Sequence, residues 1–226
     1  VMVNPYRIAP LTAVIRSGGY VVKNASVRIV PKQNGQEIRY SVSDENVRTA
    51  GGIPVFGLYP DWLNTVEVEY DRVFNGKTEH FSDRYQLYAA PVFLRSNGTP
   101  GQTHTTFNVK VLKMDPAFKD RLYFINNLIP TPPDASRVVW NNPMGGALEW
   151  AFGPENAIVD STGTVRWYLN PDVEMYDPDQ PYKAGIMMGF EQTADGGLLF
   201  GYGQRYAKYD MTGREIFNRR LPMGYA

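Results

Sequence analysis

The sequence predicts an all-β protein with an N-terminal β-sandwich followed by the first blade and a half of a β-propeller. Three observations support this fold class. Aromatic residues and turn formers are abundant, with 15 Tyr, 11 Phe, 21 Gly and 17 Pro. Short segments alternate apolar and polar residues, as half-buried strands do. One turn sequence, Asp-x-Thr-Gly, occurs twice, and its two copies start at Asp160 and Asp210.

Composition excludes several function classes. The 23 basic and 23 acidic residues give a formal net charge of zero, so no electrostatic attraction to nucleic acid or to an anionic membrane is expected. No apolar run approaches the roughly 18 residues that a membrane-spanning helix needs. The sequence has no cysteine, which removes disulfides, thiol nucleophiles and thiolate metal sites. We expect no cofactor and no membrane insertion.

Residues 1–113 are predicted to form the sandwich. In "TVEVEY" apolar residues alternate with glutamates, and Asn75-Gly76 follows as the turn of a β-hairpin. A second pair, Asn34-Gly35, is predicted to join "ASVRIVPKQ" to "QEIRYSV" in the same way. Further strands are predicted in "PLTAVIR", "GIPVFGLYP" and "TFNVKVLK". Several short strands separated by turn signals are typical of a sandwich.

Residues 114–147 are predicted to be an irregular connection rich in Pro and Gly. The stretch "LIPTPPDASRVVWNNPMGG" holds four prolines and two glycines. Proline lacks the donor that a central strand requires, so no central strand is expected there.

Residues 148–226 are predicted to form the incomplete propeller. A four-stranded meander runs through "AGIMMGFEQT", "LLFGYG", "RYAKYD" and "REIFNRRL", and the pair "NAIVD" and "TVRWYL" precedes it. The pair matches the last two strands of the meander, because each contains Asp-x-Thr-Gly and then an aromatic residue, Trp167 or Phe217. This spacing favours propeller blades, with the aromatic residue packed between neighbouring blades. The alternative is two unrelated hairpins that share a common turn.

Several segments resemble the bacterial aryl-sulfate sulfotransferases. They are "VNPYRIAPLTAVI", "GIPVFGLYPDWLNTVEVEY", "DRLYFIN", "IVDSTGTVRWYL" and "GQRYAKYDMTGREIFNRRLPMGY". The resemblance is collinear over essentially the whole sequence. It implies an immunoglobulin-like sandwich followed by a six-bladed propeller, in a periplasmic homodimer. It also implies transfer of a sulfuryl group from a phenolic sulfate donor to a phenol acceptor through a sulfo-histidine intermediate.

The resemblance places the nucleophilic histidine a few residues after "LPxGY". This sequence has "LPMGY" immediately before Ala226, so no catalytic residue is expected within it, and the chain alone is expected to be inactive. The innermost strand of the complete blade would present Met188 to the channel. Tyr202, Arg205 and Tyr206 are further candidates for the substrate channel, although packing between blades explains them equally well.

The two histidines of the sequence are not expected to be catalytic. His80 lies in "KTEHFSD" on a sandwich strand, and His104 lies in "GQTHTTF". Neither has a second ligand at metal-binding spacing, so both are interpreted as ordinary surface or hydrogen-bonded residues. The acidic segment "DVEMYDPDQ" lacks the glycine and terminal glutamate of an EF-hand, so no metal site is predicted there.

A rival hypothesis is a non-catalytic binding or adhesion module, because fold alone does not determine function. We also expect this chain on its own to be oligomeric, aggregation-prone or partly disordered beyond about residue 148, since an incomplete propeller leaves strand edges unpaired.

Overall fold

The computed structural model describes residues 1–95, 103–104, 109–130, 152–170, 188–202, 205–220 and 222. The first unit is a sandwich of two antiparallel sheets and one short helix. Its elements are β1 (Met2–Val3), β2 (Thr12–Arg16), β3 (Val21–Ile29), β4 (Ile38–Val42), α1 (Asp44–Ala50), β5 (Gly52–Phe56), β6 (Trp62–Phe74) and β7 (Lys77–Ala89). One sheet has the order β1-β2-β5, and the other has the order β4-β3-β6-β7. The predicted sandwich is therefore confirmed.

The two Asn-Gly pairs behave differently. Asn75 and Gly76 have φ of 49° and 75° and close a two-residue turn between Phe74 and Lys77, as predicted. The same prediction for Asn34-Gly35 is wrong, because pairing of β3 with β4 ends at Ile29 and Ile38 and leaves a long loop between them. In "TFNVKVLK", residues 109–113 form no strand, and residues 106–108 lie outside the described residues.

Helix α1 was not predicted from the sequence. The side chain of Ser43 accepts a hydrogen bond from the amide of Asn46, and Asp44 and Glu45 stand in the positively polarised first turn. Gly51 ends the helix with φ of 67°, a left-handed conformation that favours glycine. Only Val47 of the helix is buried in the sandwich.

The core of the sandwich is aliphatic and lies between the two sheets. Residues from both sheets, such as Ala13, Val27, Val55 and Val68, are at most 1% exposed. Outside this apolar centre, Tyr40 of β4 joins the sheets, since its hydroxyl accepts from the amide of Phe56 and donates to the carbonyl of Pro54. Burial of apolar side chains from both sheets stabilises the sandwich.

The region between the units contains regular structure where irregular chain was predicted. After the pair β8 (Leu94–Arg95) and β9 (Thr103–His104), a 3-10 turn spans Pro116–Phe118, and strand β10 spans Leu122–Pro130. The prediction of an irregular connection is wrong for residues 122–130. Pro130 is tolerated because it is the last residue of β10, where the missing donor leaves no gap inside the ladder. Residues 131–147 lie outside the described residues.

The second unit consists of two more antiparallel sheets. One is formed by β10, β11 (Phe152–Asp160) and β12 (Val165–Tyr168), in that order. The other is the meander of β13 (Met188–Gln192), β14 (Leu198–Tyr202), β15 (Arg205–Tyr209) and β16 (Glu215–Arg220). The predicted meander is confirmed. Strand β10 pairs with β11 along nine residues, so the expected strand pair is a sheet of three strands within the described residues.

Aromatic rings join these two sheets. Phe124 of β10 stacks on Phe190 of β13 with centroids 5.3 Å apart, and Phe190 stacks on Phe200 at the same separation. Trp167 of β12 is fully buried, and its Nε1 donates to the carbonyl of Met211 at 2.8 Å. Trp167 therefore packs between two sheets, while the assignment of these sheets as neighbouring propeller blades stays a prediction.

Candidate functional site

The four residues predicted to line a substrate channel come from three adjacent strands. Met188 of β13 pairs with Gly201, Gly201 pairs with Tyr206 of β15, and Tyr202 pairs with Arg205. Residues paired directly across an antiparallel ladder point to the same face of the sheet. The structure therefore brings the four residues to one end of the four-stranded sheet, in two neighbouring rows.

The described side chains in this group are accessible to different extents. Tyr206 is 43% exposed and packs against Phe217 with ring centroids 6.1 Å apart. Arg205 is half-buried, and its backbone pairs with Arg220 of β16. The side chains of Met188 and Tyr202 lie outside the described residues, so their orientation toward a channel stays a prediction.

His80 is a surface residue of strand β7. Its Nδ1 lies 2.9 Å from Oδ1 of Asp71, and Oδ2 of Asp71 accepts from Nδ2 of Asn24 at 2.8 Å. These two hydrogen bonds, that of Asn24 first, hold the pKa of the Asp71 carboxyl below its ordinary value. The imidazole is 67% exposed, as expected for an ordinary hydrogen-bonded histidine. His104 belongs to β9, and its side chain lies outside the described residues.

Both Asp-x-Thr-Gly turns have the same internal geometry. In the first turn, Oδ1 of Asp160 accepts from the amide of Thr162 at 2.9 Å, its hydroxyl at 2.6 Å and the amide of Thr164 at 3.1 Å. Gly163 has φ of 83° and donates its amide to the Asp160 carbonyl. The carboxylate thus supplies a hydrogen-bond acceptor for turn amides that have no backbone acceptor.

The second turn repeats these bonds. Oδ1 of Asp210 accepts from the amide and the hydroxyl of Thr212 at 2.9 and 2.6 Å, and from the amide of Arg214 at 3.0 Å. Gly213 has φ of 88°. The sequence repeat is therefore a structural repeat, which favours repeated sheets over two unrelated hairpins.

A buried polar cluster at the junction of the two units was not predicted. Arg166 of β12 is fully buried, and its Nη1 lies 2.9 Å from Oδ2 of Asp160. The same guanidinium donates to the carbonyls of Gly57 and Gln36 in the sandwich. The central carbon of the guanidinium, Cζ, lies 3.6 Å from the centre of the Tyr59 ring. The only sequence signal is a charged residue between Val165 and Trp167 in a short apolar strand.

No group of three His, Cys, Asp or Glu side chains able to hold a metal ion occurs within the described residues. The acidic segment 172–180, considered for calcium above, lies outside that part of the chain. The described residues also include no helix long and apolar enough to cross a membrane.

The fold and its repeated turns define a class of protein: an all-β chain in which a sandwich packs on successive antiparallel sheets built around Asp-x-Thr-Gly turns. Comparison with known proteins identifies the family. The arylsulfotransferase Ig-like domain matches residues 1–90, and the arylsulfotransferase (ASST) family matches residues 108–226. The chain belongs to the arylsulfotransferase family.

Two curated relatives align with the whole chain. Arylsulfate sulfotransferase AssT of Escherichia coli O6:H1 (strain CFT073) is 32% identical over 242 aligned positions. Arylsulfate sulfotransferase AssT of Lelliottia amnigena is 32% identical over 241. In both cases the alignment covers 100% of this chain and 39% of the relative.

Proposed function

We propose that this chain is the N-terminal portion of an enzyme that transfers a sulfuryl group from a phenolic sulfate ester to a phenol through a sulfo-histidine intermediate. One observation carries the proposal: the chain aligns over its whole length with two arylsulfate sulfotransferases. It favours the enzyme over the non-catalytic binding module, which rested on fold analogy alone.

The proposed reaction has two displacement steps. In the first, an imidazole nitrogen attacks the sulfur, an N–S bond forms, the S–O bond to the donor breaks, and the departing phenoxide takes up a proton from an acid. In the second, the acceptor phenol attacks the sulfur, gives its proton to a base, and the N–S bond breaks. Imidazole serves both steps because it is a nucleophile and a leaving group near neutral pH.

The nucleophile in this proposal is neither His80 nor His104. His80 belongs to the sandwich, is mostly exposed and is hydrogen-bonded to Asp71. His104 lies in the connection after the sandwich. Since these are the two histidines of the sequence, we propose that the 226-residue chain alone does not catalyse transfer.

The proposal assigns the two sheets of the second unit to a propeller with six blades. Support comes from the repeated turn and from the aromatic packing of one sheet on the next. Within it, Met188, Tyr202, Arg205 and Tyr206 remain candidates for the end of the sheet at the channel, where the guanidinium of Arg205 near the sulfate would stabilise charge developing on its oxygens. The family resemblance adds a periplasmic location and a homodimer, which cell fractionation and light scattering would test.

The functional test uses the full gene product with nitrophenyl sulfate as donor and phenol as acceptor. We expect continuous nitrophenol release that depends on phenol, and no release by the purified 226-residue chain. Arg205→Ala in the full gene product should lower kcat/KM by about tenfold to a hundredfold, while the control Arg214→Ala should leave it unchanged. Sustained release without any acceptor, beyond one equivalent of nitrophenol per enzyme, would overturn the proposed transfer to phenol. Turnover by the 226-residue chain would overturn its proposed inactivity.

A further inference from the structure

The two Asp-x-Thr-Gly turns differ in how the second carboxylate oxygen is used. In the second turn, Nε of Arg214, four residues after Asp210, lies 2.9 Å from Oδ2, and both side chains are about 30% exposed, at 30% and 27%. In the first turn that position is Thr164, which cannot make this ion pair. Oδ2 of Asp160 instead accepts a hydrogen bond from Nη1 of Arg166, which is two residues after Thr164 and lies in β12.

Arg166 also reaches into the sandwich. Its Nε and Nη2 donate to the carbonyl of Gly57 at 3.0 and 2.8 Å, and Nη1 donates to the carbonyl of Gln36 at 2.8 Å. The hydroxyl of Tyr59 donates to the same Gln36 carbonyl at 2.7 Å. One buried guanidinium therefore joins a turn of the second unit to two backbone carbonyls of the first. We call Arg166 with these acceptors the clasp.

A second connection is made by the side chain of Gln36, which belongs to the sandwich and reaches the second unit. Its Oε1 accepts from the amide and from the hydroxyl of Ser161 in the first turn, both at 2.8 Å. Its Nε2 donates to the carbonyl of Arg121, just before β10. The Gln36 side chain thus connects the sandwich to two places in the second unit: the turn between β11 and β12, and the residue directly before β10.

The N-terminal segment contacts the other sheet. Ile8 and Ala9 are buried in the same apolar cluster as Trp167, Phe190 and Phe200. The carbonyl of Ile8 accepts from the amide of Asn170 at 2.7 Å. Ile8 also lies against Gly213, where an added Cβ would stand 2.7 Å from its Cγ1. One segment of the first unit therefore packs against both sheets of the second.

We propose that the sandwich holds the two successive sheets of the second unit in a fixed orientation relative to itself, with Arg166 as a positioning residue. Units joined by an ordinary surface contact move relative to each other. Here a rotation would separate a buried guanidinium from its acceptors, and a buried charge without partners is strongly unfavourable. The first repeat turn is thus adapted, through Thr164 and Arg166, to hold a neighbouring unit. This inference does not depend on the proposed sulfuryl transfer.

A distance measurement between two spin labels on the 226-residue chain tests the proposal. The sequence has no cysteine, so Ser82→Cys on β7 and Ile216→Cys on β16 provide two specific and exposed labelling sites. In the otherwise unaltered chain we expect one narrow distance distribution. Arg166→Met should broaden it, and unfolding in denaturant should separate into two transitions. Arg214→Met is the matched control and should change neither, because its ion pair stays within one turn.

Two milder variants keep the test decisive if Arg166→Met does not fold. Gln36→Ala removes the bridge to Ser161 and leaves the carbonyl that Arg166 needs. Ile8→Ala removes the contact with the β13–β16 sheet. Each variant should broaden the distance distribution between the two spin labels, although less than Arg166→Met does. A distribution as narrow as that of Arg214→Met in the foldable variants, with a single unfolding transition, would overturn the proposal.

Discussion

Asp160 and Arg166 form an ion pair from which water is fully excluded: Oδ2 lies 2.9 Å from Nη1, and both side chains are 0% exposed. The equivalent carboxylate in the second turn, Asp210, has a partner that remains accessible to water. Two copies of one turn thus differ in environment, and this difference leads to the first prediction.

Asp160→Ala should destabilise the chain much more than Asp210→Ala. Removing one partner of a buried pair leaves an uncompensated charge and costs about 3–5 kcal/mol. Asp210→Ala loses similar hydrogen bonds, but water reaches the remaining arginine, so we expect about 1–2 kcal/mol. Equilibrium unfolding in urea measures both values. Equal losses would show that burial of the first pair has no energetic consequence.

Trp167→Ala should destabilise the contact between the two sheets of the second unit. Trp167 is fully buried and bonds the carbonyl of Met211, so we expect a loss of about 3–5 kcal/mol. Trp62→Ala is the control, because Trp62 is 45% exposed, and its loss should stay within about 1 kcal/mol. Thermal unfolding monitored by circular dichroism distinguishes the two. Comparable losses would contradict the assignment of Trp167 as an inter-sheet contact.

Gly213→Ala should be more harmful than Gly76→Ala. Both glycines have positive φ, 88° and 75°, so each substitution carries a backbone penalty of about 1–2 kcal/mol. Only at Gly213 would the added Cβ also meet Ile8, whereas nothing lies within 4 Å at Gly76. The second substitution Ile8→Ala should recover part of the loss. A double-mutant cycle in urea with no coupling between positions 8 and 213 would refute the contact.

Tyr40 should make stability fall at alkaline pH. Burial, opposed by the hydrogen bond from the Phe56 amide, raises the pKa of its hydroxyl above the ordinary value. In the unfolded chain the phenol ionises near about pH 10, while in the folded chain it keeps its proton, so rising pH favours unfolding. Tyr40→Phe should lower stability by about 1–3 kcal/mol at neutral pH, because the Phe56 amide loses its acceptor.

The measurement for Tyr40 is the difference in unfolding free energy between the unaltered chain and Tyr40→Phe. The difference should shrink from about pH 8 to about pH 11, because the contribution of Tyr40 is present below its unfolded pKa and is lost above it. Other tyrosines titrate in both proteins and cancel in the difference. A difference that stays constant over this range would contradict the prediction.

The sequence predicted those features whose partners are local. The Asp-x-Thr-Gly turn was recognisable because the bonds to the carboxylate come from Thr162 and Thr164, within four residues of Asp160. The hairpin at Asn75-Gly76 is similarly determined by its own two residues. Strand β10 was missed because Pro130 suggested irregular chain, although a proline at the end of a strand breaks no internal ladder bond.

The clasp was not predictable from the sequence in the same way. The acceptors of Arg166 are backbone carbonyls at Gly57 and Gln36, 109 and 130 residues away along the chain. Every residue type carries a carbonyl, so no pattern of side chains marks these positions. Helix α1 was missed for another reason: seven residues with one buried apolar side chain give no periodic signal, and only the cap at Ser43 indicates it.

Trapping of the covalent intermediate tests the central claim most directly. The full gene product would be incubated with nitrophenyl sulfate in the absence of phenol, then analysed by intact mass and peptide mapping. We expect one added sulfuryl group on a histidine other than His80 and His104, and its loss on addition of phenol. No added mass despite turnover, or a label on His80, would contradict the sulfo-histidine mechanism proposed for this protein.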